Sequence, residues 1–402
     1  IDALGALSEK ALTHVAATYF LLQDFNKAIA VYTNLISNYP DIVKNESIYL
    51  GLAQSYYNAR DYENSRSYFN KFLEAFPKSA RRKDAQDGVE LSEYIGAVDK
   101  NSPDLLLEFA GRYPQSKMAS DALLKRGAIY FERGEFDNAI GAYQNVFTLY
   151  PASESAVAAY YRLAKIYQAK GDFVLQEQTE RNFIANYPKS EYLPEVVFNL
   201  GLTLCKLDRY DEAADVFKNE ALIRTGGEFA AASYYNLALC HKKLKNWDEA
   251  IETYRFLVRE FADFKNLLSA QLDLGALLSA KGYYREAISL YESLLNDAKG
   301  DNRIELLYQL SECYLGLGDA AQAKKSLKKA VSMNPKTNPW RIASLVKLGE
   351  LCEKEKEWAA ALEIYKEIAV LNEATDLGRA AKAKAGILTN MIRQSENAVY
   401  GE

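Results

Sequence analysis

Apolar and polar positions along the chain follow two periods at once. Within residues 134–151, GEFDNAIGAYQNVFTLYP, apolar side chains fall three and four apart, the spacing of one buried helix face. The whole arrangement then returns every 37 residues. With Ala139 as register mark, the equivalent positions are Ala28, Ser65, Ser102, Gln176, Ala213, Ala250 and Ala287; one residue is lost at Ala323, and Ala361 recovers it. Such self-similarity is the mark of a repeat array, here of ten units.

Three columns give each unit its form. An aromatic stands three residues before the mark (Phe25, Tyr62, Phe136, Phe173, Tyr210, Trp247, Tyr284, Trp358), with Asp99 and Ala320 as exceptions, and a large apolar residue four after it (Tyr32, Phe69, Leu106, Tyr143, Phe217, Tyr254, Tyr291, Leu327, Tyr365), with Glu180 the departure. Twelve before it the residue is small: Ala16, Ala53, Gly127, Ala164, Gly201, Ala238, Gly275, Ser311, Gly349. Smallness in mid-helix outweighs the helix penalty of glycine only where something approaches closely, and a neighbouring backbone is the expected cause. Each unit is therefore predicted to be two tightly packed helices.

The third unit, about residues 81–114, breaks these columns with Glu90 and Asp99, yet keeps its length. Ser102-Pro103-Asp104 is expected to cap a shortened second helix over 104–112, because proline suits a first helical turn. Thr225-Gly226-Gly227 predicts a flexible connection, and residues 376–397 a last helix with Ala380, Ala383 and Ile387 on its apolar stripe. The first five units end alike, at Tyr39-Pro40, Phe76-Pro77, Tyr113-Pro114, Tyr150-Pro151 and Tyr187-Pro188. Four of them continue to Ser79, Ser116, Ser153 and Ser190, which are placed to cap the next helix.

These columns resemble the tetratricopeptide repeat over essentially all of residues 9–373. The resemblance implies an all-α fold, a right-handed superhelix of about ten helix-turn-helix repeats, with one solenoid domain over 1–373 and a capping helix and tail over 374–402. The Tyr-Pro-x-Ser endings are similar to a bacterial cell-envelope subgroup that includes the outer-membrane barrel-assembly lipoprotein and the periplasmic Tol-Pal coordinator. That likeness implies a periplasmic or outer-membrane setting.

Composition changes this picture little. Of 402 residues 49% are hydrophobic, ample for a continuous core, and the net charge of -5 recommends no nucleic-acid partner. No run approaches the ~18 to 20 apolar residues that cross a bilayer. The sequence opens at Ile1 without a visible signal peptide, so membrane association is expected only through a lost leader, a lipid anchor or a partner. Lys324, Lys325, Lys328 and Lys329 read as a solvated helix face.

Candidate chemistry is sparse. His14 and His241 lie six repeats apart and make neither a metal site nor a catalytic pair. Gly316-Leu317-Gly318-Asp319 matches a dinucleotide loop only in its glycines, since it follows a helix where that motif needs a strand. Cys205, Cys240, Cys313 and Cys352 read as small packing residues; Cys205 with Cys240, and Cys313 with Cys352, fall in adjacent repeats, so a bridge is conceivable, though helix axes about 8 to 10 Å apart make it awkward. No catalytic residue, cofactor or metal is therefore expected.

What remains is recognition. Fifteen residues before each mark the first helix turns a side chain about 100° from the core toward the inner groove: Leu50, Leu124, Tyr161, Phe198, Tyr235, Leu272, Tyr308 and Val346. These rings either pack on the neighbouring first helix or stand ready for a partner. With Lys165, Lys206, Lys242 and Lys243 nearby, the set Tyr161, Phe198, Tyr235 and Tyr308 suits a protein or peptide with apolar anchors and acidic residues, while Glu312, Glu350 and Glu353 turn the far end acidic. The expected function is a non-enzymatic scaffold in an envelope assembly. The alternative is a cytoplasmic peptide-sensing regulator, or the interaction arm of a larger protein whose other domain is absent.

Overall fold

The computed structural model describes residues 9–39, 44–223 and 227–399, and there the helical periodicity becomes a series of antiparallel hairpins without strands. The chain divides into two compact units, Ile1–Val196 and Val197–Glu402. The first pairs α1 (Glu9–Leu21) with α2 (Phe25–Asn38), α3 (Glu46–Asn58) with α4 (Tyr62–Ala75), α5 (Arg82–Asp99) with α6 (Pro103–Arg112), α7 (Ala119–Glu132) with α8 (Phe136–Leu149), and α9 (Glu154–Lys170) with α10 (Phe173–Asn186). The boundary falls inside α11 (Leu193–Lys206). The second unit continues with α12 (Tyr210–Phe217), the short α13 (Glu220–Ile223), α14 (Gly227–Lys243), α15 (Trp247–Glu260), α16 (Leu267–Ala280) and α17 (Tyr284–Leu295). It ends with α18 (Gly300–Gly316), α19 (Ala320–Val331), α20 (Pro339–Lys354), α21 (Trp358–Leu371) and α22 (Asp376–Val399).

Where the small residue of the first helix is Gly127, Gly201 or Gly275 it meets a ring, not a backbone, which corrects the expectation from sequence. A Cβ placed on Gly201 would stand 2.5 Å from the ring of Phe217, and those on Gly127 and Gly275 would come closer still to Tyr143 and Tyr291. These are the large residues four after the mark, and all three rings are buried. The same ring also reaches the first helix of the next repeat, nineteen residues on. Tyr32 lies over Gly51 and Phe69 over Gly88, each 2.5 Å from a hypothetical Cβ. At two tyrosines that face a longer polar residue the hydroxyl is bonded instead: Tyr254 donates to Asp273 Oδ2 at 3.2 Å, and Lys384 Nζ donates to Tyr365 at 3.0 Å. In the fifth repeat, Glu180 takes the ring's place, buried and accepting a 2.9 Å bond from Gln176 Nε2.

The hairpin turns are equally regular. A residue with positive φ stands five before the mark at Gln23, Arg60, Gly134, Gly171, Asp208, Lys245, Gly282, Gly318 and Lys356. It is followed by the residue that begins the second helix. Asp24, Asp61, Asp172 and Asp319 do so by accepting the amide hydrogen three residues on, at 3.0 to 3.2 Å. Gly318 and Asp319 thus form a hairpin turn and helix cap, as the repeat reading of that glycine motif expects.

The third repeat departs by one helical turn. Its positive-φ residue is Asn101, and Ser102, accepting from Leu105 N, holds the capping place four residues later than in its neighbours. The register mark there is consequently Leu106, which is buried, rather than Ser102. The first helix gains the turn that the second loses, so the length of 37 survives. Packing shifts with it, since α5 lies more extensively on α4 than on its own partner α6.

Hairpins are joined in the first unit by one repeated turn. Phe76, Tyr113, Tyr150 and Tyr187 accept through their carbonyls from the amides of Ser79, Ser116, Ser153 and Ser190, at 2.9 to 3.1 Å. Each serine hydroxyl then accepts from an amide at the start of the next helix. Pro40 and the Thr225-Gly226 connection lie outside the described residues. At the other end α22 covers α21, but its stripe is rotated from the expected one: Ala381, Ala385 and Leu388 are buried, while Ala380, Ala383 and Ile387 are exposed. Both series have helical spacing. Gly378, wedged against the carbonyl of Asn372, and the 2.8 Å Lys384–Glu353 pair fix which one faces inward.

Gly275→Ala sets helix propensity, which favours alanine by about 1 kcal/mol, against a Cβ driven into the buried Tyr291 ring. Overpacking wins, with an expected loss of ~1 to 3 kcal/mol in urea unfolding. Gly141→Ala, where nothing lies within 4 Å, should stabilise by about 0.5 to 1 kcal/mol. Equal responses at the two positions would refute the ring contact.

Candidate partner-binding face

First helices carry the candidate face because each presents the residue next to its core stripe at one repeating angle. In the first unit Tyr161 is half-buried on α9; its hydroxyl donates to Glu195 at 2.6 Å, its ring lies 5.8 Å from that of Tyr192, and Lys165 Nζ sits 4.1 Å over it. Lys165 and Tyr161 are thus brought together, as a cation on a ring face. Leu50, of the same column, is fully buried and offers no surface.

In the second unit the rings are half-buried, and each is braced by another aromatic further along the chain. Phe198 packs edge-on against Phe217 and Phe229, both at 5.8 Å. Tyr235 meets Tyr254 at 6.1 Å and Phe264 at 5.8 Å, and Tyr308 meets Trp340 at 5.4 Å. The rings are therefore fixed edges rather than free platforms. Burial pushes the Tyr235 and Tyr308 hydroxyls up from the ordinary phenol range, with nearby Asp273 adding to the effect at Tyr235 and Glu312 at Tyr308.

The lysines do not form one cluster. Lys242 is paired with Asp273 at 2.6 Å, beside the hydroxyl of Tyr254, so its charge is largely neutralised on the face. Lys243 turns toward the ring of Tyr210, 6.0 Å away, and the exposed Lys206 has the same helical offset one repeat earlier. Of the acidic residues, Glu312 faces Lys347 at 3.3 Å and Glu353 faces Lys384. Lys324 is not solvated as expected, but largely buried between Glu355 and Glu357 at 2.6 and 2.8 Å; the rest of its lysine face is exposed.

Sequence reasoning missed a cleft of about 490 Å³ bordered by α4, α5 and α6. It opens where the third repeat lost its turn aromatic. Glu93 lies within it, nine-tenths buried, bonded to Arg66 at 2.7 Å and to Arg112. Tyr113 beside it is pushed up to about 12, first by burial and then by the Glu93 carboxylate. Buried carboxylate held between two guanidinium groups is a structural lock, and it joins the second helices on either side of α5. Among the described residues no group of three or more His, Cys, Asp or Glu side chains could hold a metal ion, and no helix is long and apolar enough to cross a membrane.

Antiparallel hairpins of this kind, with small first-helix residues under second-helix rings, define an α-helical repeat scaffold. The tetratricopeptide-repeat family matches at residues 10–41, 48–79, 121–153, 198–263, 272–305 and 304–337, together more than half of the sequence, and the chain belongs to that family. Such repeats generally serve as protein-interaction scaffolds. No curated protein sequence matches. Among solved structures the chain is similar to a tetratricopeptide repeat protein from Parabacteroides merdae, at 15% identity over 67% of this chain and 98% of that one, with a TM-score of 0.39. It is also similar to yeast Tom70, at 14% identity over 99% and 93% with a TM-score of 0.39. The apo form of the quorum sensor NprR from B. thuringiensis is similar at 19% identity over 68% and 81%, with a TM-score of 0.41.

Half-buried tyrosines give the fold an alkaline limit. Tyr113 and Tyr314 are both raised from 10.0 to about 12, chiefly by burial, with carboxylate partners Glu93 and Glu292 adding to it. A raised value favours the protonated phenol in the folded chain, so the stability is complete below 10 and is lost as pH climbs through 12. Tyrosinate absorbance and helicity followed together should change in concert above pH 10. Full ionisation of all 29 tyrosines with helicity intact would contradict this burial.

Proposed function

We propose that the chain is a non-enzymatic scaffold that holds a protein or peptide partner along the first helices of its second unit, in a bacterial cell-envelope assembly. The observation that carries the reading is the braced ring series Phe198, Tyr235 and Tyr308, whose exposed edges are fixed by neighbouring aromatics before any partner arrives. Rings already ordered lose little freedom on binding, which favours affinity per contact. Lys242 is occupied by Asp273, so attraction of acidic partner residues rests more on the exposed Lys206. The Tyr161–Lys165 pair offers a similar ledge within the first unit. The envelope setting draws support from the Tyr-Pro-x-Ser turns and their likeness to that bacterial subgroup.

Once a partner is captured, Phe198→Ala with Tyr235→Ala should weaken it by at least ~2 kcal/mol, about 30-fold. Lys206→Glu should have a smaller, salt-sensitive effect. A control on the second helix α19, Lys325→Glu with Lys329→Glu, should leave the affinity unchanged. Melting curves confirm which variants remain folded; unchanged binding by the folded ring variant would reject the face. Fractionation of the native cells should place the protein in the envelope, and recovery solely with soluble cytoplasm would reject the setting.

A further inference from the structure

The helices α11 and α14 bring Cys205 Sγ and Cys240 Sγ to 3.6 Å, although the sequence alone makes a bridge between adjacent first helices look awkward. The two thiols differ in access. Cys205 is partly exposed, whereas Cys240 is buried. Around them, Lys206 follows Cys205 directly, Tyr210 lies within electrostatic reach of both sulfurs, and Lys243 sits 6.0 Å over the Tyr210 ring. A partly exposed thiol beside cationic groups, with a second thiol in contact behind it, is the arrangement of an attacking and a resolving cysteine.

We propose that Cys205 and Cys240 form a reversible intramolecular disulfide, made by exchange with a small oxidised disulfide, which links α11 to α14. The 3.6 Å contact leaves about 1.5 Å to close for a sulfur–sulfur bond of about 2.05 Å. Cys205 attacks first as its thiolate: its sulfur bonds to one sulfur of the small disulfide, whose own sulfur–sulfur bond breaks, and the departing thiolate takes up a proton. Cys240 then loses its proton and its sulfur attacks Cys205 Sγ, expelling the second small thiolate, which is also protonated. Two protein thiols are oxidised by two electrons and one small disulfide is reduced to two thiols. The electrostatics agree with this order, since the contact with Cys240 lowers the Cys205 thiol below its ordinary value while the same contact and burial raise that of Cys240. Cys313 and Cys352, both buried, serve as internal controls.

The test uses the full chain, reduced and then incubated with glutathione disulfide, followed by intact mass and peptide mapping. The wild-type chain should become two hydrogens lighter, carry a peptide cross-linked between Cys205 and Cys240, and melt at higher temperature than its reduced form. Cys240→Ser should instead keep glutathione on Cys205, and Cys205→Ser should stay unmodified at Cys240. The proposal is overturned if wild type retains the glutathione adduct, if it remains fully reduced, or if the cross-link involves Cys313 or Cys352. Dithiothreitol should return the wild-type mass and melting temperature to those of the reduced chain; a cross-link that persists would remove its reversibility.

Discussion

A ring pressed onto a helix where no side chain can stand is the contact on which the other features depend. Gly127, Gly201 and Gly275 leave notches that Tyr143, Phe217 and Tyr291 fill, and the helices of those hairpins approach as closely as the ring's thickness allows. Because the same ring position also reaches nineteen residues ahead, to Gly51, Gly88, Asp273 or Lys384, one side chain sets both the hairpin and its stacking on the next. Close packing of this kind has little slack, so neither partner can change size alone. The angle at which each first helix shows its outer residues follows from it.

Much of this was legible as columns, because small residues and rings recur at fixed offsets. The cause was misread, since a column shows that something is close without showing what. Other features are invisible to a period count. The third repeat moves its turn by four residues while keeping its length, so Ser102 falls in the mark's column although Leu106 fills the role. On α22, two apolar series share one spacing, and packing of Ala381, Ala385 and Leu388 on the preceding helices, with the contacts of Gly378 and Lys384, decides between them. Arg82, Arg303 and Arg341 stand in one column of the 37-residue period, twenty before Ser102, Ala323 and Ala361, and each bonds a carbonyl near the end of the preceding second helix, at Leu73, Leu295 and Val331. That column was available in the sequence but is occupied in too few repeats to stand out.

The candidate face divides along similar lines. Spacing located Tyr161, Phe198, Tyr235 and Tyr308, since a helical offset fixes direction. It could not tell that aromatics from the following helix entrance brace them, or that Asp273, 31 residues from Lys242, takes up that cation. Charges in different repeats meet only after stacking, and their pairing depends on side-chain length and tilt. Spacing paired Cys205 with Cys240 and Cys313 with Cys352 alike, and only the structure shows the first pair in contact.

The repeated Tyr-Pro-x-Ser turn has a consequence for how such a chain changes over generations. Its four described copies share one joint, the same carbonyl accepting from the same serine amide, with the serine hydroxyl accepting two residues on at three of them and three residues on at Ser153. A recombination event that removes or copies one whole 37-residue block between two of these joints recreates a joint already in use. Growth and shrinkage in whole blocks are thereby spared the misfit that a break elsewhere would bring. The number of modules becomes a heritable dimension in its own right, adjustable in integer steps while every surviving seam stays as it was.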